Sequence, residues 1–285
     1  MKTAKRFSAV LLALIMIFSI FAFSASAEKE KPFYLVLGDS IAEGFGLTNP
    51  QHGAYGKIVA DTNGYAYINR GHMGYDSADI RRLVSDTSGK TDIPKFIKEA
   101  DIISLSVGGN DFLLGNVVDL LFNAIFLGNY SRFDTIAENY YENLTAIMHK
   151  IHELNPDAVI LMQTLYNSWN SPVRKVYQQA ADKINNAIYR VYDENPGYFE
   201  IVDVGSVFSF HKEWVTKDTI HPNAEGNVAI AKVVLEKLNE LGLGDTTEPV
   251  IAVPGKTRDY ITEYFGPIVG TILVVLANAA TGNLF

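Results

Sequence analysis

Five short apolar runs, separated by stretches long enough to hold a helix, constrain this chain more than any other feature. They are Phe33 to Leu37, Tyr65 to Asn69, Ile102 to Val107, Ala158 to Met162 and Phe199 to Val204. A run of this length, stopped by a small or polar residue as the first is by Gly38, reads as a strand buried on both faces. Helical spacing fills the intervals, most clearly over Ile136 to Leu154, Val176 to Tyr192 and, after Pro222, Ala224 to Leu238. Parallel neighbours need a crossover of about a dozen residues or more, and these intervals supply it. The pattern predicts an α/β domain, a mainly parallel sheet covered by helices on both faces.

The two ends fall outside that alternation. Lys2, Lys5 and Arg6 precede an almost wholly apolar stretch from Phe7 to Phe23, and Ala25-Ser26-Ala27 stands before the charged Glu28-Lys29-Glu30. Basic, apolar and small-residue parts in that order predict a secretory signal peptide over residues 1–27, with an uncleaved anchor as the alternative. The protein is then expected in the secreted or cell-envelope fraction, with one domain over 28–241. From 242 to 285 the composition changes. Gly244 to Pro254 reads as a linker, and Phe265 to Phe285 carries no charge, although its glycines, Pro267 and asparagines interrupt the apolar pattern. Association of this tail with a membrane surface, packing on the domain and binding to a partner are all open.

Charge and cysteine content exclude several classes. The formal net charge is −8, and removal of the three leading basic residues leaves the remainder more acidic still, which argues against a nucleic-acid partner. Cysteine is absent, so there is no disulfide framework and no thiolate nucleophile. No cofactor is expected, and no metal: His149 and His152 share a face of a predicted helix without a third ligand nearby. One stretch, Leu113 to Phe133, is rich in apolar residues directly after a polar turn. It has two readings, an extra helix capping the core or the wall of an apolar binding cleft.

The chemistry is concentrated in four short segments. Gly38-Asp39-Ser40 follows the first run, Asn69-Arg70-Gly71-His72-Met73-Gly74 the second, Gly108-Gly109-Asn110-Asp111 the third, and Asp218-Thr219-Ile220-His221-Pro222 precedes the last helix. In open α/β sheets, loops at the C-terminal ends of the strands meet at one edge, where ligands bind. A serine at a strand-to-helix turn presents its hydroxyl there beside backbone N–H groups suited to a developing anion. Serine needs an adjacent base, and imidazole exchanges a proton near neutral pH. Asp39 and Asp111 read as supports for their turns.

These segments resemble, in order and content, the blocks of the GDSL or SGNH hydrolase family, over roughly Phe33 to Leu238. The resemblance implies a three-layer, flavodoxin-like fold with a mainly parallel five-stranded sheet. It also implies Ser40 as nucleophile, His221 as general base and acid, and Asp218 as the group orienting His221. Ser40, Gly74 and Asn110 would form the oxyanion hole. Substrates of the family include short-chain esters, lysophospholipids, thioesters and acetylated sugars. The expected activity is that of a serine carboxylic-ester hydrolase acting on small-molecule or lipid esters, with lysophospholipid favoured if the 113–133 stretch lines the cleft. Two alternatives stand: a carbohydrate acetylesterase, using Trp169 or Trp214 to stack on sugars, and a noncatalytic envelope binding protein on the same fold.

Overall fold

The computed structural model describes residues 31–113, 123–124, 127–168, 174–209, 211–260 and 263. Residues 1–27, most of 113–133, Trp169 and the apolar tail beyond residue 263, all singled out above, lie outside these. The described residues from Pro32 onward form one compact unit.

Five strands, β1 Phe33–Gly38, β2 Ala66–Gly71, β3 Ile102–Ser106, β4 Val159–Gln163 and β5 Glu200–Val202, pair in the order β2-β1-β3-β4-β5, and every pairing is parallel. The helices are α1 Ser40–Glu43, α2 Pro50–Gly53, α3 Tyr55–Asn63, α4 Ser77–Val84, α5 Ile93–Glu99, α6 Gly109–Leu113, α7 Ser131–Leu154, α8 Arg174–Glu194, α9 Val204–Phe208 and α10 Ala224–Glu240.

Alternation along the strands builds two cores. Leu35 and Leu37 of β1, Ile103 and Leu105 of β3, and Ile160 and Met162 of β4 face Ile80, Ile97, Leu144, Ile147 and Ile184 from α4, α5, α7 and α8. Tyr34, Val36, Ile102, Leu161 and Val202 face Tyr55, Ile58, Val59, Ile230 and Val234 from α3 and α10. Successive strand residues point to opposite faces, so each β1 residue belongs to one core or the other. This is the three-layer α/β architecture expected, and its strand order reverses between β1 and β3, where doubly wound sheets open a crevice.

The elements depart from the apolar runs at their ends. β2 starts one residue late, because the Tyr65 amide donates to the Ala60 carbonyl (2.9 Å) across the left-handed Gly64 that closes α3. β5 is shorter than the run that predicted it: Asp203 accepts from the Ser206 amide at 3.1 Å, which starts α9 at Val204. Of the 113–133 stretch, Ala124 and Phe133 belong to the core, whereas Leu113 borders a cavity.

The segment read as a linker is held against the domain. Val250 N–H donates to Thr62 Oγ1, Lys256 N–H to Asn49 Oδ1, and Arg258 N–H to the Gly46 carbonyl, at 2.9, 2.6 and 2.8 Å. Leu47 and Thr257 form an antiparallel bridge. Among the described residues no helix is long and apolar enough to cross a membrane.

Candidate active site

Ser40 opens α1 directly after β1. The turn between them requires Gly38, whose φ is +142° and whose added Cβ would lie 2.0 Å from the Ser106 carbonyl oxygen. Asp39 caps α1 by accepting from the Ile41 amide at 2.9 Å, and Ser40 is left 8% exposed at the edge of the sheet. Burial pushes the Asp39 carboxyl up to about 7, against the pull of the Ile41 amide and the nearby His221.

His221 arrives from the other end of the chain, in the loop before α10. Its Nε2 lies 2.9 Å from Ser40 Oγ, and its Nδ1 pairs with Asp218 Oδ2. The loop between Asp218 and His221 is tightly prescribed. Asp218 Oδ1 accepts from Thr216 Oγ1, Ile220 N–H and His221 N–H at 2.6, 2.9 and 3.0 Å. Thr219 takes a left-handed backbone, φ +65°, a conformation that a β-branched residue adopts only where its surroundings impose it. Those surroundings are the Ser168 hydroxyl, which donates to the Thr219 carbonyl at 2.5 Å, and the Tyr166 hydroxyl, which donates to the Ile220 carbonyl at 2.6 Å.

Electrostatics favour an ionised Asp218. Burial pushes its carboxyl up, but the hydrogen bond and charge of His221, with the hydroxyls of Thr216 and Tyr260, outweigh burial and hold it well below the usual carboxylate range. A close approach fixes the His221 loop against the serine side: a Cβ on Gly46 would fall 2.0 Å from the Pro222 carbonyl oxygen. The Phe45 ring packs on the imidazole with centroids 4.8 Å apart.

Asn110 lies in the first turn of α6, after β3. Its side-chain amide donates to the Tyr75 carbonyl at 2.8 Å. The next residue, Asp111, accepts from Ser77 N–H and Ser77 Oγ, at 3.1 and 2.5 Å, and so ties the β3 loop to the start of α4. Ser40, Asn110 and His221 line one cavity of about 100 Å³, walled on its apolar side by Val107, Leu113, Leu165 and Val204. Asp218 sits behind His221. Gly74, in the loop after β2, is outside the residues that line this cavity.

The other residues weighed above, His149, His152 and Trp214, and two further histidines fall elsewhere. His149 Nε2 pairs with Asn195 Oδ1, and His152 stacks on Tyr198. His72 pairs with the carbonyl of Met73 and stacks on Tyr75. His211 stacks on Trp214, whose ring also packs on Phe208, so two aromatic neighbours already occupy Trp214. Among the described residues no group of three or more His, Asp or Glu side chains is placed to hold a metal ion. The motifs missed two contributors. Thr216 stands two residues before Asp218, a spacing at which a hydroxyl reaches a carboxylate; Tyr260 lies between the stretch read as a linker and the uncharged tail, with no local signal.

A parallel sheet ordered 2-1-3-4-5, carrying a serine, a histidine and a carboxylate at its β1/β3 edge, defines a hydrolase of the esterase and lipase type. The profile of the GDSL-like lipase/acylhydrolase family matches residues 36–229, and the chain belongs to that family. It is similar to the uncharacterized protein YpmR of Bacillus subtilis strain 168, 24% identical over 225 residues that make up 75% of this chain and 84% of the relative. Among solved structures it resembles the lipase Lip_vut3 from a goat rumen metagenome (21% identity, TM-score 0.59, 75% of this chain and 99% of that one). It also resembles phospholipase A1 from Streptomyces albidoflavus (18%, 0.55, 74% and 99%). A third similar structure is an acetylxylan esterase, Axe2, from Geobacillus stearothermophilus (16%, 0.52, 76% and 96%).

Proposed function

We propose that the protein hydrolyses carboxylic esters through an acyl-enzyme on Ser40, and that its substrates are esters with an extended acyl chain, of the lipid or lysophospholipid kind. The observation that carries this reading is the 2.9 Å contact between Ser40 Oγ and His221 Nε2, with Asp218 on the opposite ring nitrogen. Ser40 Oγ attacks the ester carbonyl carbon as its proton passes to His221 Nε2. The tetrahedral oxyanion receives Ser40 N–H and the Asn110 side-chain amide, the two expected donors that line the cavity. Collapse expels the alcohol, which takes the proton from His221. Water, deprotonated by the same imidazole, then attacks the acyl-enzyme and frees Ser40.

The acyl preference rests on the wall of Val107, Leu113, Leu165 and Val204 beside Ser40. An apolar chain lying there leaves water, and each methylene withdrawn contributes about 0.8 kcal/mol. The basic and apolar stretch over residues 1–27 supports action outside the cytoplasm, and the uncharged tail supports association with a membrane surface. The test is hydrolysis of p-nitrophenyl esters from acetyl to palmitoyl by the wild type and by Ser40→Ala. Turnover that rises with acyl length and vanishes in Ser40→Ala is expected. Full activity in Ser40→Ala defeats the mechanism, and a sharp maximum at acetyl selects a carbohydrate acetylesterase instead.

A further inference from the structure

The family match ends at residue 229, before the segment that crosses back over α2 and the His221 loop. We propose that Tyr260, at the end of that segment, is a positioning residue of the active site, its hydroxyl holding the Asp218 carboxylate in the orientation that His221 needs. This inference rests on the assignment of Ser40, His221 and Asp218 to ester hydrolysis.

The Tyr260 hydroxyl donates to Asp218 Oδ2, the oxygen that also faces His221 Nδ1. Oδ1 is already fixed by Thr216 and two backbone amides. Five donors therefore meet one carboxylate, and rotation about its Cβ–Cγ bond would break several together. The phenol is a donor throughout the working pH range, because burial, the Asp218 charge and the shared hydrogen bond all push its ionisation far above neutrality.

Tyr260 is brought there by the backbone. The Thr48 amide donates to the Lys256 carbonyl and the Arg258 amide to the Gly46 carbonyl, both at 2.8 Å; the Ala224 amide donates to Thr257 Oγ1 at 3.1 Å. Lys217 pairs with Asp259 alongside. The Tyr260 ring then packs on Phe45 with centroids 4.9 Å apart, and Phe45 packs on His221. One aromatic ring thus bridges the segment and the base. Residues 46–48, the His221 loop and residues 254–260 form a single assembly around Asp218, and the structural unit of the hydrolase extends through Tyr260.

The test compares wild type, Tyr260→Phe and Ser40→Ala in the full chain, with kcat and KM on a p-nitrophenyl ester and the downfield proton NMR signal of the imidazole N–H facing Asp218. Tyr260→Phe removes one oxygen and keeps the ring on Phe45. A hydrogen bond to a charged group is worth enough to expect a fall in kcat of about tenfold to hundredfold. KM should stay near wild type, and the N–H signal should shift. Unchanged kcat in Tyr260→Phe overturns the proposal, as does a reduced kcat with the N–H signal unmoved, which marks a merely structural loss. Undiminished turnover in Ser40→Ala sinks the underlying assignment instead, so the two failures are distinct.

Discussion

The side-chain amide of Asn110 donates to the Tyr75 carbonyl, 2.8 Å away in the loop after β2. The amide proposed as an oxyanion donor is thereby aimed by the backbone of another loop, and one of its N–H groups remains for the cavity that Asn110 shares with Ser40. Asn110→Ala removes that donor and leaves the nucleophile and its base in place. Its kcat is expected to fall about 10²- to 10³-fold with little change in KM, measured by steady-state kinetics on a soluble ester.

Asp218→Asn keeps the size of the side chain and most of its acceptor bonds on Oδ1. It also presents either an amide or a neutral carbonyl to His221, in place of the carboxylate that selects the tautomer with its proton on Nδ1. The expected loss is about 10⁴-fold in kcat near neutral pH. A variant within tenfold of wild type shows that Asp218 does not orient the base.

The buried carboxyls set a pH dependence of stability. Asp39 is pushed from its ordinary 3.8 up to about 7, and Asp111, chiefly by burial and against the bonds from Ser77, up to about 6. With a raised pKa in the folded state, the native chain keeps a proton that the unfolded chain has released. Their contribution to stability therefore falls as pH rises from about 4 to about 7. Asp39→Asn, which still offers an oxygen to the Ile41 amide, should be more stable than wild type at pH 8, by at most about 4 kcal/mol, and should show a shallower slope. Urea unfolding of both proteins at pH 5 and pH 8 checks this; a gap that does not widen with pH contradicts it.

Leu165 stands on the cavity wall, with its side chain near Gly108. Leu165→Trp fills part of the space proposed for the acyl chain. The kcat/KM ratio of long over short acyl esters is expected to fall about tenfold or more, as a loss of about one to two methylenes of pocket would dictate. Loss of activity on all chain lengths alike would place the acyl chain elsewhere.

Much of this could be read before any coordinates. The strands were legible because buried parallel strands are apolar on both faces, and the site because Ser40, Asn110 and His221 each stand in a short motif beside a strand or helix end. Asp203 hid the end of β5, since a capping carboxylate ends a strand without ending the apolar run. Residues 244–254 read only as a linker, and 255–260 carried no motif. Their attachment is made largely by backbone groups, such as the amides of Lys256 and Arg258 and the Lys256 carbonyl, which any residue type but proline provides. The partner of Tyr260 is 42 positions away, beyond any local motif.

The separation of Ser40 from His221, 181 positions, has a consequence in time. A growing chain lays down its serine with the first strand, but the imidazole waits for the loop before α10, and the phenol on Asp218 waits longer still. Through most of its synthesis the polypeptide carries an alcohol with no base beside it. On the proposed mechanism the serine gains its base only when these last contacts close, so completion of the fold and onset of ester cleavage coincide.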